Sequence, residues 1–317
     1  MNLSLAKEGS KTKTSHFISI YQGKFKLPPP HFFTKPKIDR DRDRDRDRIK
    51  PIPSKVVVFD LDETLGSFGD LFLLWTGIKH IYPEFDSFSE LLDIYPEFLR
   101  TGIIAILQFL YKKKKSGECE KIFIYTNNQC PPIWISHLMH YFQEKMISTL
   151  GQGMVLFDKV IGAFKIGNVP FEISRTTNKK TYSDLIHCTM LPKNTEFCFI
   201  DDMEYNKMKH DKIYYIKPRA YIHSLSVQEI VDRWQIVFSS KYSILSSYWY
   251  SWFALHNRNG YLLEKEEVEH SSIHKQVSEK LMFHIREFFL LSTYHSFWKS
   301  TRKKRYSFSG RKTKRMG

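Results

Sequence analysis

Three short polar clusters, each placed directly after an apolar run, hold the residues of this chain best suited to chemistry. Val56-Val57-Val58-Phe59 leads into Asp60-Leu61-Asp62-Glu63-Thr64. Lys121-Ile122-Phe123-Ile124-Tyr125 leads into Thr126-Asn127-Asn128, and Glu196-Phe197-Cys198-Phe199-Ile200 into Asp201-Asp202. Two lysines, Lys179 and Lys180, precede the last pair, just ahead of an apparent helix, Tyr182–Cys188. Converging carboxylates raise one another's pKa unless a divalent cation sits among them. Mg²⁺ favours such oxygen ligands and commonly bridges to a substrate phosphate. A lysine and a threonine hydroxyl can hold the remaining phosphate oxygens where charge accumulates in a transition state. One carboxylate can attack phosphorus to give an acyl phosphate. A second, two residues further on, can serve as general acid and then general base. The set suits phosphoryl transfer.

Positioning these residues requires a scaffold that brings three strand ends together. The runs are short, apolar and β-branched, as in strands covered on both faces, and Ile213-Tyr214-Tyr215-Ile216 is a fourth. Helical patterns separate them. Thr101–Tyr111 is strongly apolar and closes on Lys112–Lys115, near the negative end of the macrodipole. Ile135, Leu138, Met139, Phe142 and Met146 share one helical face, and Val227–Phe238 reads similarly. Strands alternating with helices predict an α/β fold, a Rossmann-like parallel sheet flanked by helices. In such a sheet ligands collect at the carboxyl ends of the strands, where the polar clusters fall. Residues 239–298 are aromatic-rich and lack the alternation, which predicts a helical extension packed on the main domain.

The motifs together resemble the haloacid-dehalogenase superfamily. Val56–Leu65, VVVFDLDETL, is similar to its DxDx(T/V) signature, and the threonine at the fifth position resembles the Mg²⁺-dependent branch that dephosphorylates the polymerase C-terminal domain (the NLI-interacting-factor-like phosphatases). IFIYTNN stands as a second motif, a lysine at 179 or 180 as a third and FCFIDD as a fourth; LFDKVIGAF and KTYSDLIHC also look like this group, whose members include copies in large DNA viruses. The resemblance spans roughly residues 55–236. It implies the haloacid-dehalogenase fold and particular roles. Asp60 would be nucleophile and metal ligand. Asp62 would be acid and base, with its backbone carbonyl on the metal. Thr64, taken with Thr126 and Asn127 in the phosphate-binding set, would also fix the loop geometry. Lys180, or alternatively Lys179, would bridge nucleophile and phosphate, and Asp201 and Asp202 would complete a Mg²⁺ site with Asp60 and Asp62. Two departures stand out. The fourth motif reads Asp201-Asp202-Met203-Glu204 instead of the branch's Asp-Asn-Ser-Pro pattern, and residues 68–99 read as aromatic-rich and largely helical where the branch inserts a small β-element.

The chain has 317 residues, 42% hydrophobic and 15% aromatic, which excludes wholesale disorder. Its formal charge of +15 is concentrated at the ends, in residues 1–54 and 299–317, leaving the region between nearly neutral. A nucleic-acid-binding fold would carry its basic patch on the folded domain. Nucleic acid therefore enters only as a partner of the basic tails, alongside solubility and localisation roles. Residues 1–54, with Pro-rich stretches and the Asp-Arg repeat Asp39–Arg48, read as a disordered basic leader; 55–238 as the phosphatase-like domain; 239–298 as the helical extension; and 299–317 as a basic tail. Four cysteines without a CxxC pair predict reduced, packed thiols and an intracellular protein, cytoplasmic or nuclear. Cys130 lacks the CxxxxxR loop of a thiol phosphatase, and Gly66 and Gly69 read as flexible flap residues. No apolar run approaches the about 20 residues of a bilayer span, which predicts a soluble protein without membrane contact.

These readings converge on a Mg²⁺-dependent phosphatase with an aspartyl-phosphate intermediate, acting on phosphorylated protein Ser/Thr through an open, cap-poor site. The alternatives are a polynucleotide-end phosphatase using the basic tails, a catalytically idle binding module of the same fold, and a small-metabolite phosphatase with residues 239–298 closing as a lid.

Overall fold

A strand buried on both faces must be apolar at every position, and the first apolar run meets that demand. In β2 (Lys55–Phe59), Val56, Val57, Val58 and Phe59 are all fully buried. A computed structural model describes residues 16–19, 53–151, 153–256 and 269–307 of the chain. Within them, β2 lies at the middle of a six-stranded sheet. Its partners are β1 (His16–Ser19), β3 (Lys121–Tyr125), β4 (Lys159–Ile161), β7 (Glu196–Ile200) and β8 (Ile213–Lys217), in the order β1-β8-β7-β2-β3-β4. Every pairing is parallel. A separate antiparallel hairpin joins β5 (Lys165–Ile166) to β6 (Val169–Pro170).

Successive side chains point to opposite faces of the sheet, so each strand feeds two cores. Val57, Phe59, Ile122, Ile124, Cys198 and Ile200 join the larger cluster, with α1 (Phe68–Ile81), α2 (Phe88–Ile94), α3 (Ile103–Lys115), α4 (Pro132–Leu150) and α6 (Val227–Phe238). Val56, Val58, Phe123, Phe197 and Phe199 join a smaller one with α5 (Tyr182–Thr189). The fold is α/β, an all-parallel Rossmann-like sheet flanked by helices. Residues 68–99 are largely helical, as α1, α2 and a 3₁₀ turn at Pro96–Phe98.

The extension contains α7 (Ser246–His256) and α8 (Glu269–Ser307). Trp249 and Phe253 of α7 are buried in the larger core, where Trp249 packs edge-on against Trp234 of α6. Val277, Leu281 and Ile285 of α8 are fully buried. His274 packs on Tyr221, the Ser278 hydroxyl donates to the Thr101 carbonyl, and the Lys55 ammonium donates to the carbonyls of Phe288 and Phe289. These contacts run along the sheet to the start of β2, the end opposite the polar clusters. The described part of the extension thus braces the domain.

Two boundaries differ from the sequence reading. His16–Ser19, expected within a disordered leader, form the edge strand β1 on β8, and α8 runs past 298 into the segment read as a tail. The rest of the leader through residue 52, and residues 308–317, lie outside the described residues. Gly66 is also no flap. It is buried, and a Cβ there would lie 2.4 Å from the Phe98 carbonyl oxygen, so its smallness allows two backbone segments to touch.

Candidate active site

Register decides what meets at the carboxyl edge. Phe59 is level with Ile200 on one side and Ile124 on the other. The next residues, Asp60 and Asp201, therefore emerge as neighbours, with Thr126 just beyond β3. The ladder continues one step further, through Asp60 N–H to the Ile200 carbonyl at 2.8 Å and Asp201 N–H to the Ile216 carbonyl at 3.2 Å. The chain passes from β2 outward through β3 and β4, then returns to β7 on the other side of β2. Asp60 and Asp201 thus flank the topological switch point, where open α/β sheets hold ligands.

Lys180 joins the two carboxylates. Its ammonium lies 2.5 Å from Asp60 Oδ1 and 2.7 Å from Asp201 Oδ2, and the residue is 1% exposed. Its position is set by the next residue, since Thr181 caps α5 by accepting the Asp184 N–H at 3.0 Å. Lys179, the other candidate, is exposed and bonds through its backbone to Thr177. Carboxylate oxygens of Asp60, Asp201 and Asp202 all lie within 4.8 Å of one another. An all-oxygen trio with one ammonium beside it fits a hard divalent cation such as Mg²⁺. The Asp62 carboxylate stands outside this trio, as an acid and base that reaches the metal only through its backbone carbonyl would. Both of its oxygens accept from Asn128 Nδ2, at 3.1 and 2.9 Å.

Thr64, placed in the phosphate-binding set by the resemblance, acts here as a brace. Its fully buried hydroxyl accepts the Asp202 N–H and donates to Asp202 Oδ1, both at 3.1 Å, which fixes the loop geometry as the resemblance implied. Thr126 is also fully buried, and its hydroxyl oxygen accepts the Asn128 N–H at 2.9 Å. The Asn127 amide donates to the Tyr205 hydroxyl at 3.1 Å and accepts from Arg175 at 2.7 Å, so both its ends are engaged inside the protein.

Three supports went unassigned in the sequence. Asn128 orients Asp62 and closes its own turn by accepting the Cys130 N–H at 2.8 Å. Arg175, 2% exposed, donates to the carbonyls of Thr126 and Gly162 and stacks over Tyr125. Arg100, equally buried, donates to the carbonyls of Thr64, Glu63 and Arg219. The second contact clamps Glu63, whose φ of 53° is a left-handed conformation unusual for a residue with a Cβ. Asn128 adjoined Thr126-Asn127 and was the most legible. The arginines lie in irregular stretches with no periodicity to reveal where they point.

Electrostatics follow from crowding. Burial, then Asp60, pushes Asp62 up to about 6, against the pull of Asn128. Burial and Asp60 also raise Asp202 to about 6, and burial lifts Asp201 well above the usual range. Burial and four neighbouring aspartates, Asp62 first, push Glu63 up to about 8. Burial alone would lower Lys180, but Asp60 and Asp201 outweigh it and hold the ammonium charged. The four cysteines are free; burial pushes Cys119 up to about 12 and Cys130 and Cys188 up to about 11. They read as packed thiols, not nucleophiles. No described helix is long and apolar enough to cross a membrane. Comparison with family models, with curated proteins and with solved structures finds no match to this chain.

Proposed function

We propose that the protein is a phosphatase of the haloacid-dehalogenase type that hydrolyses phosphorylated Ser/Thr of proteins through an aspartyl-phosphate intermediate. The observation that carries the reading is the Lys180 bridge between Asp60 and Asp201 at the switch point, with Asp62 held close by on Asn128. Asp60 supplies the attacking oxygen: an O–P bond forms as the bond from phosphorus to the substrate oxygen breaks. Asp62, raised towards neutrality, gives its proton to the departing alcohol and then takes one from the water that attacks the acyl phosphate. Inorganic phosphate leaves and Asp60 is restored. Lys180 offsets the anionic charge that builds at Asp60 as phosphate approaches. Asp60, Asp201 and Asp202 would hold Mg²⁺, which when bound offsets the charge of the phosphate.

Turnover of a generic aryl phosphate by purified full-length protein tests this. Activity is expected with Mg²⁺, lost with EDTA, and reduced at least about a thousandfold by Asp60→Asn, as for removal of a covalent nucleophile. Equal turnover by wild type and Asp60→Asn would sink the mechanism.

A further inference from the structure

A groove of about 630 Å³ opens beside the carboxylate cluster, between α4, the end of β4 and the β5–β6 hairpin. That is ample for small-ligand recognition, which uses about 300–1,000 Å³. It shares two structural supports with the site. Asn128, which holds Asp62, forms part of its wall. So does Gly162, whose carbonyl is gripped by the same Arg175 that binds Thr126 and Asn127. Met139, Phe157, Ile166 and Phe171 give it an apolar lining. Gly162 lets the Phe171 ring fold closely over it: a Cβ there would come within 2.8 Å of the ring and push it outward. The lips are apolar and open, with Val155 62% and Phe171 46% exposed.

Charge selects among occupants. Among the described residues no lysine or arginine lines the groove, and Glu172 is its one carboxylate. The Asn128 amide in its wall holds a second carboxylate, that of Asp62. A polynucleotide would bring one phosphate to the reacting centre but lay its neighbours against an apolar, weakly acidic surface with no cation to meet them. An extended peptide needs only one phosphate, and its flanking side chains can be apolar.

Resting on the phosphatase reading above, we propose that this groove is the specificity subsite: it takes apolar side chains that flank the phosphorylated Ser/Thr of a protein substrate. Burial of apolar area beside an anchored phosphate then sets the preference.

The test uses the full chain and four probes: an aryl phosphate, a phosphoserine peptide with Leu and Phe neighbours, the same peptide with Gly and Ser neighbours, and a phosphate-ended oligonucleotide. The apolar-flanked peptide is expected to exceed the polar-flanked one by about tenfold in kcat/KM, and likewise in affinity by fluorescence anisotropy. Val155→Lys and Phe171→Ser should each erase most of that difference while leaving aryl phosphate turnover within about twofold. Val155→Lys changes an exposed side chain, so it still decides the matter if Phe171→Ser proves unstable. Equal handling of the two peptides, or preference for the oligonucleotide over both, overturns the subsite. Failure to hydrolyse the aryl phosphate overturns the catalytic reading instead, and the anisotropy ranking still judges the groove.

Discussion

At the scale of single residues, the site is a balance between carboxylates that repel and the few groups that restrain them. Asn128 stabilises the ionised form of Asp62, whose pKa burial and Asp60 raise to about 6. With Asn128→Ala that restraint goes, and the folded-state pKa of Asp62 rises further. If Asp62 must be protonated to release the alcohol, the alkaline limb of the kcat–pH profile should move to higher pH. An unmoved limb beside a merely smaller kcat would assign Asn128 a structural role only. Asp202 is opposite in sense. Its carboxylate is crowded by Asp60 and carries a pKa raised to about 6, so in metal-free protein its charge is unfavourable above that pH. Asp202→Asn keeps the oxygen that accepts from Thr64 and removes the charge. The variant should melt higher than wild type at pH 8 without metal, by an amount on the order of 1 kcal/mol. Mg²⁺ is expected to raise the melting temperature of wild type and not that of the variant, which thermal denaturation with and without the ion would measure.

Elements were legible where burial imposed a simple pattern. β2, β3, β7 and β8 stand where the apolar runs placed them, because a strand covered on both faces has no freedom to be polar. α4, α5 and α6 follow their apolar faces for the same reason, and the polar clusters were readable because each begins where such a run stops. Short elements were not legible. Lys159–Ile161 and the two-residue strands of the hairpin are too brief to show a period, and β1 draws its identity from pairing with β8. The loop between β2 and α1 shows the same limit. Gly66 looks like a flexible hinge in sequence, yet it is pinned beside the Phe98 carbonyl, and this contact anchors the turn that carries Asp62 and Thr64. Gly66→Ala must separate those two backbones. It should cost about 1–3 kcal/mol in denaturant unfolding, as overpacking does. Because Thr64 would move away from Asp202, the proposed phosphatase activity should fall by more than the loss of folded protein explains. Wild-type turnover in a destabilised Gly66→Ala would separate the loop from the site.

The whole molecule divides its labour along the strands, with carboxylates at one end of the sheet and α8 reaching from Tyr221 near that end to Lys55 at the other. The buried ammonium in that brace is Lys55, the first residue of β2, which is 7% exposed, donates to the Phe288 and Phe289 carbonyls and lies over their rings. Burial lowers its pKa to about 8, more than the nearby Glu196 raises it. Between about 8 and the ordinary lysine value near 10.5 the unfolded chain holds this proton and the folded chain has released it. Unfolding therefore takes up a proton in that window, and stability attributable to Lys55 must rise with pH across it; below about 8 the penalty for burying the charge is present in full. Tyrosines and cysteines titrate in the same range, so the quantity to follow is the difference between wild type and Lys55→Met. Denaturant unfolding of both proteins at pH 7 and pH 10 should show wild type gaining on the variant as the pH rises. A difference that stays constant, or one that shrinks, would mean that the Phe288 and Phe289 carbonyls hold the ammonium charged throughout and that α8 docks on a permanent cation.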